Sequence, residues 1–519
     1  MGTYEQCAVE TEGGGNELLL QCITEAIERK DASKTTDYTT WLLVLCGALI
    51  FFMQAGFAML CAGCVRKKNV QNTMLKNLLD ACGASLAFYC CGYAFAFGGQ
   101  NDDDSITFIG RKNFFSLGDV DQGFWFFQFA FSATAVTIVA GTLAERCQMA
   151  AYLCYSIFLT GFVYPIVAHS IWSNNGFLSA FSKDPFRGIG TIDFAGSGVV
   201  HLTGGATALI ATYILGARKG RFHDNRGRLL PTPRTIHGHS IALQLMGTMV
   251  LWFGWYGFNP GSALLLGVEN TGKVAARAAV NTSLSAASGA CSALFTNLYI
   301  QERKTGEQKF DLSKAMNGAL GALVAITAPC GTVQNWASIL IGVVAGLLYL
   351  FGSNLLIQVR LDDAVDAIPV HCFNGIWGLI ATGLFSSPGP MLDAFGTDEH
   401  VGWFYSLGRG SFDATLLGNQ ILATGFIFGW VTCTMWPFFL TLNYLGWFRA
   451  DSLEELVGLD LSYMGNRQNL IENGDDEYSD VGSVGGNTED GDSIAKEDKE
   501  QAKAVVIPPD AMSELTPGA

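Results

Sequence analysis
The chain has 519 residues, 50% of them hydrophobic and only 15% charged, with a mean hydropathy of +0.29. That balance excludes a string of ordinary soluble domains and points to a membrane protein. The net charge of −15 belongs to the ends: Met1–Thr40 holds 8 acidic and 3 basic residues, Ile471–Ala519 holds 13 and 3, and the body between them is neutral, so no nucleic-acid partner is expected.

In chain order, residues 1–38 are polar and acidic, contain no signal-peptide pattern, and read as an extracellular arm. Cys7 and Cys22 lie in that arm and would face an oxidising exterior, either as an intra- or inter-subunit disulfide or as free thiols. Residues 39–448 read as an all-α transmembrane domain. Apolar runs give about eleven spans, starting near Trp41, Asn77, Gly123, Met149, Phe194, Gly238, Lys273, Ala315, Asn335, Asp366 and Phe412, with Gly318–Pro329 a weak one. Placing the N-terminus outside and the C-terminus inside puts 18 Lys/Arg in inside loops and 7 in outside loops, whereas the opposite orientation inverts the bias. Residues 449–467 read as an ordered cytoplasmic element with a capping box from Ser452 to Glu455. Residues 468–519, rich in Gly, Ser and acid, read as a disordered tail.

Ionisable side chains inside spans are costly, which makes each a functional candidate. His201 in DFAGSGVVHLTGGATAL and His371 in DAIPVHCFNGIWGLIATGLF share a pattern. Each has a Gly four residues on (Gly205, Gly375) and an Asp upstream (Asp193, Asp366). Equivalent elements five spans apart predict two inverted five-helix repeats plus a C-terminal helix, with the histidines facing each other near the midplane. Two imidazoles without a third ligand make a poor metal set, so no metal or cofactor is expected. As pore lining they offer donor and acceptor without fixed charge. Asp193 opens the fifth span as an N-cap and a cation-favouring carboxylate, roughly 12 Å above His201. Asp366 is expected to cap the tenth helix.

These segments, with GTLAERC, WFGWYGFNPGSA and ITAPCGTV, closely resemble the ammonium transporter (Amt/Mep/Rh) superfamily over roughly Tyr38 to Met464, most of all its plant and algal members. The resemblance implies a homotrimer in the plasma membrane, with ammonium or ammonia as substrate, the lipid bilayer as surroundings, and no enzymatic activity. It implies a recruitment site of Trp172, Phe131 and Ser262, backed by Asp193. It implies a gate of Phe131 and Phe258 beside Phe127, and a pore lined by His201, His371, Gln128, Asn259 and Thr327. Pro260 departs from the small residue of bacterial members, within the loop expected to carry Ser262. Ser462 matches a phosphorylated position of plant members, which implies a kinase acting on the C-terminal segment; an ordinary exposed serine is the alternative. Two other functions fit the same residues: an ammonium sensor signalling through the tail, or a Rhesus-type ammonia channel.

Overall fold
Apolar runs become helices here because a segment surrounded by lipid must satisfy its own backbone N–H and C=O groups. The computed structural model of the chain describes Cys7 and residues 16–100, 104–224, 226–268 and 270–464. Among these residues there is no β-strand, only isolated bridges. The long helices of the body are α1 (Asn16–Cys64), α2 (Lys67–Phe97), α3 (Gln122–Thr142), α4 (Met149–Trp172), α5 (Ser197–Leu215), α6 (Ile241–Ser262), α7 (Thr271–Thr305), α8 (Leu312–Thr327), α9 (Asn335–Gln358), α10 (Ile368–Phe385) and α11 (Thr415–Tyr444), with two short helices, Pro388–Phe395 and Trp403–Gly408, between the last two. Nine of them, all but α7 and α8, are long and apolar enough to cross a membrane.

The two exceptions are explained by what they touch. α7 buries small and polar residues rather than large apolar ones. Gly289 lies against Ala322 and the carbonyls of Gly318 and Gly342, so a side chain there would collide with α8 and α9. Ser288 and Ser292 donate to the carbonyls of Ile339 and Val343, each at 3.0 Å. Close approach through small residues with hydroxyl cross-links is a membrane packing mode that hydropathy undervalues. α8 has 16 residues and is buried from Gly318 to Thr327, so it has no lipid-facing length to fill.

Three expectations need correction or refinement. The arm and first span are one continuous helix of 49 residues, with no break near residue 38. The capping box of α12 (Ser452–Val457) is set one residue earlier: Asp451 is the N-cap and Glu454 its partner. Glu455 turns away instead, accepting from Lys219 N at 2.7 Å and pairing with Arg449 at 2.8 Å. Finally, Asp366 does not cap α10. Its carboxylate accepts from the hydroxyls of Tyr349 and Ser353, and Asp363 accepts from Val365 N and Ile368 N. The tail expected from residue 468 lies outside the described residues.

At one end of the bundle a buried ion cluster ties the loops together. Glu145 accepts from Arg66 N at 2.7 Å, Asn69 Nδ2 at 3.0 Å and Arg218 Nη1 at 3.0 Å. Arg218 holds Asp362 through both Nε (2.8 Å) and Nη2 (2.9 Å), the fork geometry that suits a buried pair. Burial alone would raise the Glu145 carboxyl, but the Arg218 and Arg66 guanidinium groups outweigh it and hold it at about 2. α13 (Leu459–Met464) docks on the same end. Asp460 accepts from Gln71 N at 3.0 Å and Asn72 N at 2.7 Å at the start of α2, and Leu459 N donates to Asn69 Oδ1 at 2.9 Å.

Candidate conduction site
α5 and α10 each open with six residues of π-helix, Ser197–Leu202 and Ile368–Phe373. The wider turn marks many functional sites, and here each carries one of the two histidines. The helices run antiparallel and cross through glycine. A side chain at Gly205 would collide with the backbone of Cys372, and one at Gly375 with the backbone of Ser197 and Leu202. Each glycine thus sits on the residue that follows the other helix's histidine, the reciprocity of a two-fold relation. The caps obey it too. Asp193 and Asp363 both stand eight residues before their histidine, and Asp193 accepts from Gly196 N (3.0 Å), Gly198 N (2.9 Å) and Val199 N (2.8 Å). Three residues after each Asp comes a backbone with positive φ, Gly196 (108°) and Asp366 (59°). Asp366 therefore corresponds to Gly196, not to Asp193.

This crossing brings His201 and His371 together, with Nδ1 atoms 3.2 Å apart and both rings buried. Of two facing Nδ1 atoms one must donate and the other accept, so the pair holds one proton between them. His201 Nε2 is also buried and makes no hydrogen bond among the described residues.

From the histidines a file of rings leads toward the end opposite the ion cluster. His201 stacks on Phe258 (5.5 Å between centroids) and on Trp255 (5.3 Å). Phe258 meets Phe131 at 4.2 Å, which meets Phe127 at 4.9 Å and, edge-on, Trp172 at 5.6 Å. Trp172 closes α4 and donates Nε1 to the Asp193 carbonyl at 2.7 Å. Asp193 acts on this site through backbone: its carboxylate is taken up by three amides while its carbonyl fixes the indole. Ser262 ends α6 rather than lying on a loop, and the helix continues through Pro260; its hydroxyl donates to Phe258 O at 2.9 Å, leaving its lone pairs for another donor. In the other direction His371 faces Phe57 at 6.3 Å above a cavity lined by Phe57, Leu60, Ile138, Leu320 and Val370.

The remaining expected wall residues divide by role. Thr327 accepts from Trp255 Nε1 at 2.9 Å, and Asn259 Nδ2 donates to Thr282 at 2.8 Å, so both brace the wall. Gln128 Oε1 is buried and makes no hydrogen bond among the described residues. Trp255 and Phe57 were missed as site residues. Trp255 had a legible signal, since it precedes Phe258 by three positions and so shares its helix face. Phe57 sits in an apolar run that gives no such cue. Away from the path, Cys7 and Cys22 are joined within the chain, and Ser462 is exposed on α13, donating to Gly458 O at 3.2 Å.

A multi-pass helical membrane protein with a file of packed rings toward one end and a buried imidazole pair beneath it fits the class that passes a small solute. Residues 41–468 match the model of the Ammonium Transporter Family. The chain is 41% identical over 453 residues to "Ammonium transporter 1 member 3" of Solanum lycopersicum, covering 84% of this chain and 94% of that one. It is 42% identical over 428 residues to "Ammonium transporter Amt2" of Archaeoglobus fulgidus, covering 81% and 86%. Among solved structures it resembles "Sensor Amt Protein" (TM-score 0.70, 29% identity, 83% of this chain and 99% of that one) and Candida albicans Mep2 (0.67, 27%, 80% and 87%). The chain belongs to the ammonium transporter family, a family of transporters rather than enzymes.

Proposed function
We propose that this protein carries ammonium across the plasma membrane as a homotrimer, with one pore in each subunit. Trp172, Phe131 and Ser262 recruit the cation: aromatic faces attract it by about 2 kcal/mol or more once desolvated, and the serine hydroxyl accepts an N–H bond. Asp193 supports the site by holding the Trp172 indole and the start of α5 in place. Phe131 and Phe258, in contact at 4.2 Å, are the gate, with Phe127 behind them. An intact ammonium ion does not pass an apolar path cheaply, since isolated buried charge costs tens of kcal/mol in the Born limit. Loss of a proton at the gate removes that cost; the proton either passes to water on the recruitment side or follows the ammonia through the histidine pair. Ammonia then meets His201 and His371, which supply donor and acceptor in turn, with Gln128, Asn259 and Thr327 completing the wall. K⁺ has no proton to lose and is rejected.

The reading rests most on one observation, the buried His201–His371 pair at 3.2 Å in line with the ring file. It is tested by uptake of isotopic ammonium in cells lacking their own transporters: wild type takes it up, and variants with His201→Ala and His371→Ala change the rate or admit K⁺. A sensor reading is favoured by the likeness to "Sensor Amt Protein", and predicts ammonium-dependent signalling without substantial flux. Phosphorylation of Ser462 by a kinase would place about two negative charges beside Asp460, which caps α2, and so loosen α13 and shut the pore.

A further inference from the structure
The loop between α5 and α6 is basic and preformed. Residues 218–234 contain Arg218, Lys219, Arg221, Arg226, Arg228 and Arg234 with Asp224 as their one acid. A small hairpin shapes them. His223 bridges Leu229, Leu230 N donates to Phe222 O at 2.9 Å, Arg234 N donates to Arg221 O at 2.9 Å, and the buried Phe222 ring anchors the turn. Part of this charge is already answered: Arg218 and Arg221 face Asp362, and Arg228 pairs with Asp224 at 2.8 Å. Lys219, Arg226 and Arg234 are exposed, and among the described residues none of them has a carboxylate at ion-pair distance. Lys219 Nζ reaches only the Ser452 carbonyl, at 3.3 Å.

We propose that this loop is the docking surface for the acidic segment 471–519 of the same chain. Three observations select that occupant. The segment carries 13 acidic and 3 basic residues, the complement of the loop. The described chain stops at Met464, in the segment whose Glu455 already touches Lys219 N, so loop and segment begin on the same side and close together. The six residues 465–470 that join Met464 to this segment can span at most about 20 Å, enough to start it near the hairpin, and tethering gives an effective concentration in the millimolar range. Exposed ion pairs are individually weak, so the contact is salt-sensitive and needs several charges on each side. Docking pulls on α12 and α13 from their far end and adds a second hold on the loop that Glu455 already grips.

Carbodiimide coupling joins the Lys219 amine to any carboxylate in contact with it. The full-length protein in zwitterionic nanodiscs is expected to give Lys219 cross-links to acids of 471–519, identified by mass spectrometry. Their yield falls at least about five-fold when salt rises from about 0.05 to about 0.5 M, and by a similar factor in the triple variant Arg226→Gln, Arg228→Gln, Arg234→Gln. An unchanged melting temperature shows that this variant is folded, and the salt arm on wild type stands without it. No cross-link to that segment, or a yield indifferent to salt, overturns the proposal. So does a yield that disappears when anionic lipid is included at low salt, because the loop's partner is then the membrane surface.

Discussion

Arg218→Met separates the two carboxylates of the ion cluster from the charge that holds them. In the native chain the Arg218 guanidinium makes two hydrogen bonds to Asp362 and one to Glu145, all three side chains lying out of water. Leaving buried carboxylates without their cation costs about 3–5 kcal/mol. Glu145 points the same way: burial would raise its carboxyl, yet the Arg218 and Arg66 guanidinium groups outweigh that and hold it at about 2. The assay is thermal unfolding of the purified protein in detergent, followed by intrinsic fluorescence, at pH 7 and at pH near 4.5. At pH 7 the variant is destabilised by about 3–5 kcal/mol. The sign of the pH effect follows from the carboxylates. In wild type the depressed Glu145 contributes stability above its unfolded value of 4.5, and this is lost only as pH falls toward 2. In the variant, burial acts with one fewer cation to oppose it, so protonation on moving to pH 4.5 relieves the penalty and the gap to wild type narrows. A gap that stays constant or widens on acidification refutes the electrostatic account and leaves only lost packing.

Gly205→Ala forces a methyl group into the Cys372 backbone, which has no rotamer to yield; it is expected to cost about 1–3 kcal/mol in unfolding experiments and to abolish uptake by parting the histidines. Trp255→Leu removes the ring stacked on His201 and the bond to Thr327, so maximal uptake falls while the half-saturating ammonium concentration, set at Trp172, stays near wild type. Trp172→Leu shows the converse split, with half-saturation raised several-fold. Ser462→Asp is expected to be inactive and Ser462→Ala active in the same uptake assay; activity in both rejects the switch.

Much of the fold was legible because lipid imposes a length and a composition on every span, and helix ends α3, α4, α9 and α10 fall close to the expected starts. α7 and α8 also start within three residues of the expected Lys273 and Ala315, but α8 gave only a weak span, because helices packed against other helices need small residues more than apolar ones, as Gly289 and Ser292 show. The histidine pair was legible because two copies of one pattern had to be superposed. The same reasoning slipped at Asp366. Sequence shows three acids at 362, 363 and 366, and only the eight-residue offset shared with Asp193 identifies Asp363 as the cap. Asp362 is drawn instead to Arg218, a contact 144 residues apart that no local pattern announces. At Asp451 the box slipped by one residue, because Asp and Ser both cap well and adjacent acids at 454 and 455 both fit the spacing.

On the proposed mechanism, ammonium passes the plane of His201 and His371. Uptake of isotopic ammonium, measured with and without a large excess of K⁺ in cells expressing wild type, His201→Ala or His371→Ala, tests it most directly, since it registers flux whether or not charge moves. Wild-type uptake is expected to be saturable and insensitive to K⁺, and each variant to show a changed rate or inhibition by K⁺ that now enters the path. Wild-type cells that take up no ammonium, or two variants indistinguishable from wild type, would contradict it.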